Sequence, residues 1–268
     1  MRVFDKNNVR QSGLSAGRPL LFVHGFGCDQ NVWRLVTPGF EREFRIIRFD
    51  HVGAGGSDLS AYDRTRYASL QAYADDLLDI CRALDLHHVV LVCHSVGAMI
   101  GVIAANQAPE RFARLVLVAP SPRYLDDHGY TGGFSREDIG ALLDLLDTNY
   151  LGWSAAMAPR IMANPERPEL GQELTDSFCR TQPDIAKHFA RVTFLSDHRA
   201  ELPKLTVPSL ILQCSEDLIA PLAVGEYMHR QMADSELVVL RATGHCPHLS
   251  APEETIQAIR AFLSPAVS

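Results

Sequence analysis

The chain has 268 residues, 47% of them hydrophobic and 21% charged, with a formal net charge of -7 and a sequence pI near 5.9. That length suits one large α/β domain with room for an insertion, and the acidic balance argues against nucleic acid as a partner. The first eight residues, MRVFDKNN, carry charges and amides where a secretory leader would be apolar. Six scattered cysteines include no C-x-x-C pair and read as reduced thiols, so a cytoplasmic protein is expected.

The first strong element is Pro19 to Val23, a short apolar run of the kind buried parallel strands make. A glycine-rich loop follows, His24-Gly25-Phe26-Gly27-Cys28-Asp29-Gln30. In acyl-transfer enzymes such a loop donates one oxyanion-hole N–H, here that of Phe26, with Val96 as the second donor. An ordinary strand-to-helix turn explains the same residues equally well.

Phe44 to Phe49 is a second strand, and Asp50 to Asp58 a second glycine-rich loop. It holds neither a dinucleotide fingerprint nor a Walker lysine, and no cofactor is expected. Ser69 looks like an N-cap, and Tyr73, Leu77, Ile80 and Leu84 then share one helical face.

Val89 to Val92 is a strand that ends abruptly in Cys93-His94-Ser95-Val96-Gly97 and runs on as a helix through Ala105. A strand, a sharp turn and a helix with serine at the turn make a nucleophile elbow. Gly97 supplies the small residue that close helix–strand packing demands; the glycine usual two residues before the serine is replaced by Cys93. The 89–105 stretch is too short and too interrupted to span a membrane. Arg114 to Val118 is the next strand.

The alternation then breaks. Between about Tyr124 and Leu195 four helical stretches are expected, at Ser135 to Leu146, Tyr150 to Met162, Glu169 to Arg180 and Asp184 to Phe194, carrying Phe134, Trp153, Met157, Phe178, Phe189 and Phe194. Strands resume at Ser209 to Cys214 and Glu236 to Leu240. The loops after them hold Glu216-Asp217 and Gly244-His245-Cys246-Pro247-His248, and Pro252 to Leu263 is a closing helix.

Strands alternating with helices imply an α/β fold with a mostly parallel sheet, whose strand ends gather function on one edge. Ser95, Asp217 and His245 each follow a predicted strand, in the order Ser, acid, His. A serine hydroxyl becomes nucleophilic when an imidazole takes its proton, and a carboxylate fixes that imidazole. Glu216 competes for the acid, and His24 and His94 for the base. His245, Cys246 and His248 match no standard zinc spacing, so no metal is expected.

With these residues in hand, the chain resembles the RsbQ-type α/β-hydrolases, bacterial energy-stress regulators similar to plant strigolactone and karrikin receptors. The resemblance rests on His24 to Trp33, Phe49 to Asp58, Phe194 to Arg199 and Gly244 to His248. It implies a core of residues 1–121 and 196–268 with a four-helix cap, 122–195, inserted. It further implies a Ser-His-Asp triad under an apolar pocket lined by Phe26, Tyr124, Phe134, Trp153, Phe194, Leu218 and Ile219. Hydrolysis of a small apolar ester or lactone, sensing of a small ligand and a PAS-domain phosphatase partner of RsbP type are the functional expectations it carries; a metabolic esterase without a partner is the alternative.

Overall fold

The computed structural model describes residues 3–264. Met1 and Arg2, at the start of the segment read above for a leader, lie outside them. Seven strands form one sheet: β1 (Arg10–Gly13), β2 (Arg18–Val23), β3 (Phe44–Arg48), β4 (Val89–His94), β5 (Phe112–Val118), β6 (Ser209–Glu216) and β7 (Ser235–Thr243). Their order is β1-β3-β2-β4-β5-β6-β7, with β1 antiparallel to β3 and every other pairing parallel. The fold is therefore that of an α/β-hydrolase, with helices on both faces of a mostly parallel sheet.

The inner strands are apolar without alternation because both of their faces are covered. All six residues of β4 are buried. Leu91, Cys93, Leu115, Leu117 and Ile211 pack with α2 (Leu70–Ala83), α3 (Val96–Gln107) and α8 (Leu222–Gln231). Their neighbours Val90, Val92, Val116, Val118, Leu210 and Leu212 face the other way, toward α10 (Pro252–Leu263) and the inserted helices. A period of two thus splits each strand between two layers. Of two short helices, α9 (Pro247–Ser250) is wholly buried, whereas α1 (Val3–Lys6) buries none of its residues.

The insertion between β5 and β6 consists of α4 (Arg136–Thr148), α5 (Tyr150–Met162), α6 (Pro168–Arg180) and α7 (Pro183–Phe194). Ser135 caps α4 in a box with Asp138, and the Asn149 side chain accepts from Gly152 N–H to start α5. Helices α6 and α7 begin one residue earlier than the sequence reading had them. Pro168 and Pro183 occupy the first helical turn, where a missing N–H costs nothing. Among the described residues no helix is long and apolar enough to cross a membrane.

Candidate active site

Ser95 occupies the single residue between β4 and α3, at φ 56° and ψ -127°. Few side-chain-bearing residues tolerate that conformation. It is held from both sides: Ser95 N–H donates to Val118 C=O at 2.9 Å, and its own carbonyl accepts from Ala98 N–H at 2.9 Å. Gly97 answers the demand for close packing, because a Cβ there would stand 2.7 Å from the His24 carbonyl. The unusual Cys93 is accommodated across the interface. A Cβ on Gly101 would meet the Cys93 Sγ at 2.6 Å, so a glycine one helix turn further on provides the space that the elbow's first position gives up.

Three side chains meet at this turn. His245 Nε2 and Ser95 Oγ are 2.8 Å apart, and His245 Nδ1 lies 2.7 Å from Asp217 Oδ2. The other Asp217 oxygen accepts from Ile219 N–H at 2.8 Å and Ala220 N–H at 3.2 Å, which aims the carboxylate. Glu216 is exposed and ends strand β6, pointing away from the site. The competing histidines serve the backbone instead. His24 Nε2 accepts from His51 N–H at 3.0 Å, and His94 Nε2 donates to the His245 carbonyl at 2.8 Å.

The N–H groups of Phe26 and Val96 have no acceptor among the described residues. Burial disfavours the charged form of two imidazoles beside the site, His94 and His248. His94 is pushed well below the ordinary histidine value by desolvation, and then by His248 and His245. His248 falls to about 3 for the same first reason, with His245 and Arg34 adding to it. The Tyr124 hydroxyl is buried beside Ser95; desolvation raises its pKa and the nearby Ser95 hydroxyl opposes that rise.

Above Ser95 lies a narrow apolar cavity of about 30 Å3. Phe26, Tyr124, Trp153, Phe194 and Ile219 line it as the resemblance implied; Phe134 and Leu218 do not. Leu218 is 40% exposed while its neighbour Ile219 is 5% exposed, since successive residues of an extended loop point opposite ways. Phe134 bridges back to Leu125 at the base of the insertion. The sequence reading did not put Leu142, Ile161, Leu174 or Cys246 on the wall. The α5 set carried a signal: Trp153, Met157 and Ile161 recur every fourth residue and so share one face.

The insertion also touches the histidine loop directly. His245 N–H donates to Ile161 C=O at 2.8 Å, and Thr243 Oγ1 to Ala163 C=O at 3.2 Å. A Cβ at Gly244 would stand 2.0 Å from the Met162 carbonyl, so only glycine lets α5 dock here.

Comparison with known proteins agrees with this architecture. The family model for the alpha/beta hydrolase family matches residues 20–258. The chain is 38% identical to the probable esterase D14L of Oryza sativa subsp. japonica, over 95% of this chain and 94% of that protein. It is 38% identical to the karrikin insensitive 2 receptor IA of Petunia hybrida, over 93% of this chain and 92% of that one. A hydrolase from Oleispira antarctica, olei00960, superposes with a TM-score of 0.94 at 39% identity, covering 97% of this chain and 95% of that chain. On the sheet order, the elbow and these matches together, the chain belongs to the alpha/beta hydrolase family.

Proposed function

We propose that the protein is a serine hydrolase of small apolar esters or lactones, with Ser95 as nucleophile, His245 as its base and Asp217 as the residue that orients His245. The observation that carries this reading is the hydrogen-bonded chain from Asp217 through His245 to Ser95, opening onto an apolar cavity. The Ser95 hydroxyl proton passes to His245 Nε2 as Oγ attacks the substrate carbonyl carbon. The oxyanion formed lies between the free N–H groups of Phe26 and Val96, at the positive end of α3. His245 returns the proton to the leaving alkoxide, and water then releases the acyl group by the same steps.

A fluorophosphonate should add once, on Ser95. Ser95→Ala should abolish both labelling and turnover of an activated short-chain ester. Asp217→Asn should stay folded and lose roughly 10⁴ in kcat, because the imidazole loses its tautomer. Labelling at another serine, or full turnover in Ser95→Ala, overturns the assignment.

A second reading adds ligand sensing, favoured by the 38% identity to a protein called a receptor. The bond from Ile161 to His245 N–H supplies a route between the reaction centre and the inserted helices. A ligand shifts that arrangement only by contacting its alternative states unequally. The partner in this reading is a PAS-domain phosphatase, and its output on co-expression should depend on Ser95. Rapid turnover of a common metabolite ester with no partner recovered would leave the esterase reading alone.

A further inference from the structure

Beneath the elbow lies a side-chain cluster that hydrolysis does not use. One ring nitrogen of His94, the Cys246 Sγ and one ring nitrogen of His248 lie within 4.8 Å of one another, and all three residues are buried. The two imidazole centroids are 4.4 Å apart, and the outer face of His248 rests on Trp33 at 4.7 Å. Proximity in sequence suggests grouping His245 with Cys246 and His248. The fold instead turns His245 toward Ser95 and brings in His94 from the elbow.

The polar atoms of this cluster are poorly satisfied. Both ring nitrogens of His248 and Nδ1 of His94 lack a hydrogen-bond partner among the described residues. Buried polar atoms are seldom left without a partner, and one nitrogen of each ring lies within reach of a shared ion. The His94 ring is also held in place, its Nε2 lying 2.8 Å from the His245 carbonyl. Gly25 keeps one edge of that ring clear, since a Cβ there would stand 2.7 Å from Nδ1.

We propose that His94, Cys246 and His248 form a binding site for one thiophilic cation, Cu⁺. The donor set decides the class of ion. A thiolate and two imidazoles suit soft or borderline d¹⁰ cations, and the three side chains offer none of the carboxylate oxygens from which Mg²⁺ and Ca²⁺ sites are built. Charge and ligand count decide between the two that remain. Cu⁺ with one thiolate and two neutral imidazoles is electrically neutral, whereas Zn²⁺ would leave a buried positive charge and lack a fourth protein ligand. On binding, the Cys246 S–H bond breaks, an Sγ–Cu bond forms and the proton leaves to solvent; copper keeps its oxidation state. Bonds of about 2.0–2.3 Å require ligand atoms about 3.5–4 Å apart, so the three side chains draw together by up to about 1 Å. His94 and Cys246 line the same cavity as Ser95, which gives the ion its way in. Because the site abuts the His245 carbonyl, an ion there also slows any reaction that His245 supports.

The test is an anaerobic titration of the full chain with Cu⁺ in competition with a colorimetric chelator, in a Cys179→Ser background that removes the exposed thiol. One ion per chain is expected, with X-ray absorption showing one sulfur and two nitrogen ligands. Cys246→Leu and Cys246→Ser should each bind at least tenfold more weakly while melting as a single cooperative unit. Uptake unchanged in both variants, or no uptake by the parent chain, overturns the site. Zn²⁺ held more tightly than Cu⁺ overturns the choice of ion. Binding is measured without turnover, so the result stands apart from the hydrolase reading.

Discussion

The sheet core and the inserted helices are built to different standards. In β4 every residue is buried, and α3 buries ten of its twelve. Helix α4 buries only Ile139, Leu143 and Leu146 out of thirteen residues. Elements buried on all sides fix geometry, because any displacement opens a void or a clash. Elements packed on one side can change shape and sequence at smaller cost. Ser95 hangs from the first kind, and Asp217 follows a strand buried over its first six residues. His245 follows β7, where only Leu240 is buried and the bond to Ile161 adds support. Leu142, Trp153, Met157 and Ile161 come from the second kind. The reacting atoms are therefore placed by the core and the shape of the cavity by the insertion. Helix α5 is where the two meet, through its bond to His245.

Acid should break the core first. His24, His51, His94 and His248 are buried, and desolvation lowers the pKa of each. With the folded values depressed below the unfolded value near 6.5, the unfolded chain binds protons that the native one refuses. Stability is then complete above pH 6.5 and falls as pH drops toward the folded values. Between pH 7.5 and 5 the loss is about 2 kcal/mol for each histidine that stays neutral. Urea midpoints across that range check it; a flat profile would mean that the core opens to protonate them.

A smaller effect sharpens the elbow argument. Gly101→Ala should cost about 1–3 kcal/mol, because the new methyl meets the Cys93 sulfur. Cys93→Gly in the same chain should recover most of it. Two additive losses in denaturant melts would break the claim that these positions compensate each other.

The insertion should respond in the opposite sense. Leu142 is half-buried on the cavity wall, so Leu142→Ala should cost only about 1 kcal/mol of stability while raising turnover of longer acyl esters relative to acetates. Unchanged chain-length preference would remove α4 from the specificity argument.

The smallest effect belongs to the two junctions of the insertion. Arg123 pairs with Asp197 at 2.8 Å and Arg199 with Asp127 at 2.8 Å, clasping its first and last segments. These pairs are partly exposed, so Asp197→Asn should shift stability by under about 1 kcal/mol. Faster nicking by protease near residues 123–127 is the expected readout, with an unchanged melting temperature.

The inner strands were legible in the sequence because burial on both faces leaves an unbroken apolar run. Strand β1 was not, since Arg10-Gln11-Ser12-Gly13 is short, polar and at the sheet edge. Strand β7 runs three residues past Leu240, because its alternating exposure weakens the apolar signal. Ser95, Asp217 and His245 could be named because each follows a strand end, where a parallel sheet collects them. The wall of the cavity was less legible. Whether Leu218 or Ile219 faces inward depends on the path of one loop, and the pairing of His94 with Cys246 and His248 is purely tertiary.

The elbow also has a bearing on how this chain would drift. At φ 56° and ψ -127° residue 95 holds a shape that glycine takes up with less strain than serine does. Heat resistance and chemistry thus pull in opposite directions at one codon. A population sorted for thermal survival alone would gain by discarding the hydroxyl, and only continued demand for the reaction keeps it in place.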